Sequence, residues 1–276
     1  MRIGFIGAGN MASAIVLGIA KNFSAEQVQC CLYDLDETKV DALISACGPE
    51  KVQKGDCYAQ VFAGADAVLL AVKPYHIQAL IPEIRDLIEP GQLILSILAG
   101  ISIHYIEEQL PGVAVIRVMP NTGAAVLCGV TGLVAGAFTN AEQKNIAEQI
   151  FNAVGISMWI EDKQVDAFSA LSGSGGAYFY LLAQYMAEAG EKLGLDKAQT
   201  IKMARQTLLG VGKMLEAFPE KPVEQLRREI TSPKGSTLAA VETYEAMHFD
   251  EMVYAAMARS TERGKEMGIE NTGKAY

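Results

Sequence analysis

Cysteine and histidine are scarce in this sequence, which limits the metal and redox chemistry open to it. The 276 residues include five cysteines and three histidines. The cysteine count is odd and no Cys-x-x-Cys pair occurs, so we expect neither a disulfide framework nor a zinc site. Cys30 and Cys31 lie within an apolar run, and we expect both to be buried as small hydrophobic side chains.

Positive charge and long apolar runs are also lacking. Lys and Arg total 23 against 32 Asp and Glu, a net charge of −9, whereas binding to nucleic-acid phosphates needs a concentrated basic surface. No uncharged apolar run approaches the ~18 residues of a membrane-spanning helix, and residues 1–9 lack the pattern of a signal peptide. We therefore expect a cytoplasmic protein with neither nucleic acid nor a membrane as its partner.

The first part of the sequence has a regular alternation of apolar strands and amphipathic helices. Residues 2–6 predict a strand, a glycine turn follows, and residues 10–21 predict a helix. The alternation continues with strands over 28–33, 66–72, 92–98, 113–119, 129–135 and 157–160, and helices over 37–47, 77–88, 102–110 and 140–154. Such alternation predicts a parallel sheet with helices on both faces.

From residue 163 onward the sequence predicts helices without strands. These helices span residues 166–170, 178–193, 197–217, 222–230, 238–246 and 251–267. We therefore predict an α/β fold of two domains. Residues 1–162 form a dinucleotide-binding domain with a Rossmann-type doubly wound sheet, and residues 163–276 form an all-helical domain.

A glycine motif marks the turn between the first strand and the first helix. It has the form G-x-G-x-x-A, with Gly7, Gly9 and Ala12 at the fixed positions. The first glycine permits the tight turn, the second lets a pyrophosphate approach the backbone, and the small alanine lets the helix pack closely. Because the motif sits between a predicted strand and a predicted helix, it indicates a dinucleotide site.

Acidic residues follow the second strand, at Asp34 and Asp36. An acidic side chain at this place normally binds the adenosine ribose hydroxyls, which favours NAD because a 2′-phosphate would be repelled. Asp36 has an equally good alternative role as the cap of the following helix.

Further strand ends carry small or polar residues that suit a cofactor crevice. They are Ala71-Val72-Lys73-Pro74, residues 96–100, and Met119-Pro120-Asn121-Thr122. The predicted cofactor-binding residues are Ile6, Gly7, Ala8, Gly9, Asn10, Met11, Asp34, Ala71, Val72, Lys73, Pro74, Ile97, Leu98, Ala99 and Asn121.

Two loops in the helical half are rich in small residues. Residues 171–178 start a long helix with glycines and serines, which serve either close helix packing or a ligand. Residues 230–237 join two helices, and the amides of Gly235, Ser236 and Thr237 would point toward an anion such as a carboxylate. The alternative is a capped interhelical turn, because Ser and Thr favour caps for local reasons.

Together these motifs resemble those of the pyrroline-5-carboxylate reductases, and the likeness runs along nearly the whole chain. The most specific part is Thr231-Ser232-Pro233 with Gly235 and Thr237, which resembles the family's Thr-Ser-Pro-Gly-Gly-x-Thr signature. The other matching segments are residues 4–12, 71–74, 96–100, 117–122 and 170–175.

Three residues depart from the family pattern. Gly123 and Gly176 replace prolines, and Lys234 replaces the first glycine of the signature pair. Lys234 places a side chain beside the expected carboxylate site, where it either helps to hold the carboxylate or turns to solvent.

The resemblance implies reduction of L-1-pyrroline-5-carboxylate to L-proline, the last step of proline biosynthesis, with NADPH or NADH as cofactor. It also implies a homodimer, or a larger homo-oligomer, formed by the helical half. Hydride transfer to the carbon of a protonated imine needs positioning more than a strong general acid. Thr237 is the candidate catalytic hydroxyl, and the candidate substrate-binding residues are Ser232, Lys234, Gly235, Ser236 and Thr237.

Two other functions stay open at this point. A reductase of another small imine or keto acid would share the fold, and a non-catalytic regulator that senses a dinucleotide would share the glycine loop. The loop over residues 231–237 argues for an enzyme, because a sensor would not need it. No Lys or His lies between Ser172 and Ala189, where the related β-hydroxyacid dehydrogenases place a catalytic lysine.

Overall fold

The computed structural model of the chain describes residues 1–274. Its strands are β1 (Arg2–Ile6), β2 (Gln29–Tyr33), β3 (Val52–Lys54), β4 (Ala67–Leu70), β5 (Leu93–Ser96), β6 (Ala114–Met119), β7 (Gly129–Ala135) and β8 (Gly155–Trp159). Its helices are α1 (Asn10–Asn22), α2 (Glu37–Cys47), α3 (Tyr58–Phe62), α4 (Ile77–Ile84), α5 (Ile103–Gln109), α6 (Ala141–Asn152), α7 (Val165–Phe168), α8 (Gly175–Lys192), α9 (Lys197–Ala217), α10 (Val223–Glu229), α11 (Ser236–Ala246) and α12 (Phe249–Thr272).

The strands form one sheet in the order β3-β2-β1-β4-β5-β6-β7-β8, which confirms the predicted doubly wound fold. Neighbouring strands are parallel except β6 and β7, which pair antiparallel with Ile116 opposite Ala135. The prediction of parallel strands is wrong for this pair. The link between them carries only a 3-10 turn, Thr122–Val126, whereas a parallel return needs a crossover of about a dozen residues or more.

Apolar side chains alternate between two cores, one on each face of the sheet. In β1, Ile3 and Phe5 belong to the first core and Ile6 to the second; in β4, Leu69 belongs to the first and Leu70 to the second. Both faces are therefore covered by helices, as the continuous apolar strands predict.

Sequence reasoning missed β3 and α3. Of the three residues of β3 only Val52 is buried, and the five residues of α3 are too few for a helical period to show. Helix α3 lies directly on β1, because a Cβ on Gly4 would be only 2.6 Å from Cγ1 of Val61. A glycine in β1 therefore makes room for this short helix.

The chain divides into two compact units. Unit 1 contains residues 1–173 together with the described residues from Ser260 onward, and unit 2 contains residues 174–259. Helix α12 contributes residues to both units. The predicted domain boundary at residue 162 stays a prediction. Unit 1 includes the end of α12 because this end packs on the loop that follows β5, where a Cβ on Gly268 would be 3.0 Å from the Gly100 carbonyl oxygen.

Unit 2 is built from helices, and its first two helices lie against each other. A Cβ on Gly190 in α8 would be 2.9 Å from Cγ2 of Thr200 in α9, so the glycine permits close packing. None of the helices in residues 1–274 could span a bilayer, since each is too short or too polar.

Candidate active site

The glycine loop between β1 and α1 has the geometry that a dinucleotide needs. Gly7 has a φ of +102°, and a Cβ there would lie 2.7 Å from the Ala71 carbonyl oxygen, so a side chain is excluded. Gly9 has a φ of −71°, and a Cβ there would meet no described atom within 4 Å. The open space beside Gly9, at the start of α1, therefore fits a pyrophosphate held by the first helical amides.

Asp34 follows β2 and is tied to this glycine loop. Its Oδ2 accepts a hydrogen bond from the Ala8 N–H at 2.6 Å, and its Oδ1 accepts one from the Asp36 N–H at 2.8 Å. The Lys39 ammonium lies 3.8 Å from Asp34 Oδ1 and 3.4 Å from Asp36 Oδ2. The carboxylate of Asp34 is thus held at the strand end, the place where dinucleotide-binding folds of this type generally bind the adenosine ribose.

Asp36 takes the N-cap position of α2, but its side chain does not cap the helix in the described chain. Its Oδ1 accepts a hydrogen bond from the Thr38 hydroxyl at 2.6 Å. This bond, with the neighbouring Lys39, holds the pKa of the Asp36 carboxyl below its usual value. The helix-cap role predicted as an alternative is therefore limited to the backbone of Asp36.

The ends of β4, β5 and β6 are neighbours in the sheet, so the segments that follow them open onto one crevice. The Ile97 N–H still donates to the Leu70 carbonyl oxygen at 3.2 Å. Ile97 and Ala99 are partly exposed, whereas Leu98 is only 2 % exposed and belongs to the second core. Leu98 can therefore offer a cofactor its main chain but not its side chain.

The structure brings the predicted cofactor residues together at the carboxyl end of the sheet. The glycine loop follows β1, Asp34 follows β2, and the remaining segments follow β4, β5 and β6. Asn10 and Met11 begin α1, and Lys73 is exposed at the lip of the crevice. Convergence of these segments at one sheet edge is what the predicted fold requires.

Asn121 follows β6, and its side chain is engaged by protein backbone on both sides. Its Oδ1 accepts a hydrogen bond from the Val130 N–H at 3.0 Å, and its Nδ2 donates one to the Ser172 carbonyl oxygen at 3.1 Å. Ser172 lies in a single π-helical turn, Ser169–Gly173. Sequence reasoning predicted Asn121 as a cofactor residue and did not foresee this link.

Arg117 lies below the crevice and was outside the predicted site. It is 7 % exposed, and its Nη1 donates to Asp162 Oδ1 at 2.8 Å. Burial raises the pKa of the nearby Asp166 carboxyl, while Arg117 and Lys265 oppose the rise. The available signal was an arginine inside the otherwise apolar strand Ala-Val-Ile-Arg-Val-Met, because a buried charge needs a partner.

The hydroxyl-rich loop of unit 2 leads into α11. Gly235 takes the N-cap position of this helix, and its N–H donates to the Ser232 carbonyl oxygen at 3.0 Å. The expectation that the Gly235 amide faces an anion is therefore wrong, because the loop itself uses that donor. Ser236 and Thr237 supply the first amides of α11, which have no carbonyl partner within the helix. Thr237 is exposed.

Lys234 has a φ of +60°, in the left-handed region that glycine adopts freely. This backbone conformation explains why the Thr-Ser-Pro-Gly-Gly-x-Thr signature has glycine at the position of Lys234. The Lys234 side chain is exposed, so its ammonium is accessible beside the start of α11.

All five cysteines are free, and Cys30 and Cys31 are buried as predicted. Burial, with the neighbouring thiols, raises the pKa of Cys30 to about 12, which keeps it protonated. Within the part of the chain that the structure describes, no three His, Cys, Asp or Glu residues are grouped so that they could hold a metal ion.

Two family models match the chain. Pyrroline-5-carboxylate reductase dimerisation matches residues 162–267. NADP oxidoreductase, coenzyme F420-dependent, matches residues 2–100. The first match covers the helical part with the hydroxyl-rich loop, and the second covers the glycine loop with the following strand ends.

Relatives of known name span almost the whole chain. A pyrroline-5-carboxylate reductase from Pseudomonas aeruginosa is 38% identical over 96% of both chains. Among solved structures, a pyrroline-5-carboxylate reductase from Coxiella burnetii is 36% identical with a TM-score of 0.88, over 96% of this chain and 97% of that one. The Plasmodium falciparum pyrroline carboxylate reductase with NADP bound is 28% identical with a TM-score of 0.79, over 97% and 98%.

Proposed function

The chain belongs to the pyrroline-5-carboxylate reductase family, and from this membership we propose how its residues carry out the reaction. It is an oxidoreductase that reduces L-1-pyrroline-5-carboxylate to L-proline with NADPH or NADH. This conclusion rests on the similarity to named reductases over 96% of the chain, and the open space beside Gly9 is consistent with it.

The cofactor is held by the carboxyl edge of the sheet in unit 1. Gly7, Ala8, Gly9, Asn10 and Met11 would surround the pyrophosphate, and Asp34 would bind the ribose hydroxyls. When bound, NAD(P)H supplies the hydride that reduces the carbon of the C=N bond. The crevice around it is lined by Ala71, Val72, Lys73, Pro74, Ile97, Ala99 and the main chains of Ile6, Leu98 and Asn121, because the Ile6 and Leu98 side chains are buried in the core.

The substrate carboxylate is bound by the loop that begins α11. The amides of Ser236 and Thr237 and the ammonium of Lys234 provide positive charge or donors, and Ser232 adds a hydroxyl. Gly235 contributes by its lack of a side chain, because a Cβ there would be 2.5 Å from Ser232 Oγ. A carboxylate at a helix start gains both hydrogen bonds and the helix dipole.

Thr237 orients the ring for hydride transfer. Its hydroxyl oxygen accepts a hydrogen bond from the protonated ring nitrogen, and the imine carbon is then electrophilic without a stronger acid. Positioning of the two reacting carbons supplies most of the acceleration. The absence of Lys and His from residues 173–188 agrees with a reaction that needs no general acid there.

The chain is a homo-oligomer, as the dimerisation match indicates, and we propose that the helical half forms a homodimer. Large apolar side chains are exposed on unit 2, with Tyr180 at 70%, Leu193 at 85% and Tyr254 at 76%. Exposed apolar surface on this scale marks an interaction site in a water-soluble fold. The cytoplasmic location stays a prediction.

A matched pair of threonine variants tests the role of Thr237. Thr237→Val removes the hydroxyl with little change in shape and should lower kcat/KM for pyrroline-5-carboxylate about 10- to 150-fold, since a hydrogen bond to a charged group contributes about 1.5–3 kcal/mol. Thr243→Val is the control, because the Thr243 hydroxyl donates to the Ala239 carbonyl oxygen at 2.8 Å in the same helix. Equal turnover by the two variants would remove Thr237 from the mechanism.

A further inference from the structure

The side chain of Asn121 joins three segments of unit 1 that local sequence does not connect. It follows β6 at the crevice, accepts from Val130 at the start of β7, and donates to Ser172 in the π-helical turn. The two bonds are 3.1 Å and 3.0 Å long, ordinary lengths for N–H···O hydrogen bonds. Asn121 is therefore a staple between the crevice edge and a segment 51 positions later in the chain.

The surroundings of Asn121 leave its side chain little freedom. A Cβ on Gly123 would be 3.1 Å from Asn121 Oδ1 and 2.5 Å from the Cys128 carbonyl oxygen, so the link between β6 and β7 folds tightly around the amide. Ser172 is held in turn, because its hydroxyl donates to the Phe168 carbonyl oxygen at 2.9 Å. A π-helical turn is a rare local widening that often occurs at functional sites.

We propose that Asn121 is a positioning residue for hydride transfer: it fixes the strand end that lines the nicotinamide side of the crevice against the π-helical turn. The inference rests on the proposed function, because it assigns the nicotinamide to this strand end. Both polar atoms of the side chain are engaged by backbone, so its effect reaches the cofactor through the main chain of residues 119–122. Loss of either hydrogen bond of Asn121 would let this strand end shift, and a bound nicotinamide ring would then leave the geometry in which hydride transfer is fast.

The test uses Asn121→Asp, which keeps the size of the side chain and the acceptor for Val130. It replaces the donor to Ser172 by a second oxygen that faces a carbonyl oxygen. A misplacement of about 1 Å costs about 100-fold in rate, so we expect kcat to fall about 10- to 100-fold while the Kd for NADPH changes less than about threefold. The primary isotope effect on kcat with deuterated cofactor should rise, because hydride transfer then becomes rate-limiting.

Asn22→Asp is the matched control. The Asn22 amide donates to the Gly18 and Ala153 carbonyl oxygens, both at 2.9 Å, so the same substitution breaks an equivalent backbone staple. Asn22 ends α1, about 18 Å along the helix from the glycine loop at 1.5 Å per residue. This variant should lose stability but keep the wild-type kcat and isotope effect below its unfolding temperature.

Three results would overturn the inference. One is an Asn121→Asp isotope effect equal to that of Asn22→Asp. Another is a Kd for NADPH raised about tenfold at unchanged kcat, which would make Asn121 a direct cofactor ligand. If Asn121→Asp does not fold, Ser172→Ala is measured instead, because it removes the hydrogen bond from the Ser172 hydroxyl to the Phe168 carbonyl oxygen that holds the π-helical turn. An unchanged isotope effect in Ser172→Ala is the third contradicting result. Failure of the proposed function is separate, because the wild type would then not reduce pyrroline-5-carboxylate.

Discussion

The two glycines of the loop after β1 should respond in opposite ways to the same substitution. Gly7→Ala puts a methyl group 2.7 Å from the Ala71 carbonyl oxygen, at a φ of +102°. The left-handed backbone costs about 1–2 kcal/mol and the overpacking about 1–3 kcal/mol. We therefore expect the free energy of unfolding to fall by about 2–5 kcal/mol.

Gly9→Ala should leave the fold intact and damage the binding site. The new methyl group meets no described atom within 4 Å, and the φ of −71° suits alanine. Loss of the N-cap preference for glycine and the reduced entropy of the unfolded chain nearly cancel, so stability should stay within about 1 kcal/mol. The methyl group occupies the pyrophosphate space, and loss of one charge-assisted hydrogen bond, about 1.5–3 kcal/mol, weakens NADPH binding about 10- to 150-fold.

The assay pairs denaturant unfolding with a titration of NADPH followed by fluorescence. We expect the two variants to differ, with Gly7→Ala unstable and Gly9→Ala stable but weak in cofactor binding. An undiminished affinity of Gly9→Ala for NADPH would refute the assignment of the open space to the pyrophosphate. Equal destabilisation of the two variants would refute the geometry of the loop.

Three further substitutions test charged groups in and near the site. Asp34→Ser removes the carboxylate that would repel a 2′-phosphate, so the ratio of kcat/KM with NADPH to that with NADH should rise at least about tenfold; an unchanged ratio would show that Asp34 does not face the ribose. Lys234→Gly relieves the positive φ and removes a cation, so it should stabilise the fold by about 1 kcal/mol and raise KM for pyrroline-5-carboxylate a few-fold at constant kcat; a constant KM would place the ammonium in solvent. Burial raises the pKa of the Asp166 carboxyl, so the folded state binds the Asp166 proton more tightly than the unfolded state does. Ionisation of this carboxyl therefore lowers the free energy of unfolding as the pH rises from about 3.8 through the raised pKa. Asp166→Asn should therefore gain stability relative to the wild type over that rise in pH, and a difference independent of pH would contradict the assignment.

Sequence patterns predicted those features that depend on residues close together in the chain. The predicted helices over 37–47 and 197–217 and the strand over 129–135 have the predicted bounds, and the two helices owe this to periodic apolar patterns of 11 and 21 residues. The glycine motif could be recognised because its two glycines are required by backbone conformation and by the approach of a ligand, both of which involve only a few neighbouring residues.

Interactions between residues far apart in the chain could not be predicted in the same way. The antiparallel pairing of β6 and β7 depends on a short link without a crossover helix, which the strand pattern alone does not reveal. Asn121 finds its partner 51 positions later, and the Gly235 amide is used by a carbonyl within its own loop. Hydrogen bonds of this kind depend on the three-dimensional path of the backbone, so no periodic pattern of residues in the sequence predicts them.

Transfer of hydride from the nicotinamide cofactor to the imine carbon of pyrroline-5-carboxylate is the reaction on which every role above depends. The most direct measurement incubates the purified protein with pyrroline-5-carboxylate and NADPH deuterated at the transferred position, and then determines the isotope content of the product by mass spectrometry and NMR. We expect L-proline with one deuterium on the carbon that was part of the C=N bond, formed in equal amount to the oxidised cofactor. Proline without deuterium at that carbon, or oxidation of NADPH without proline, would contradict it.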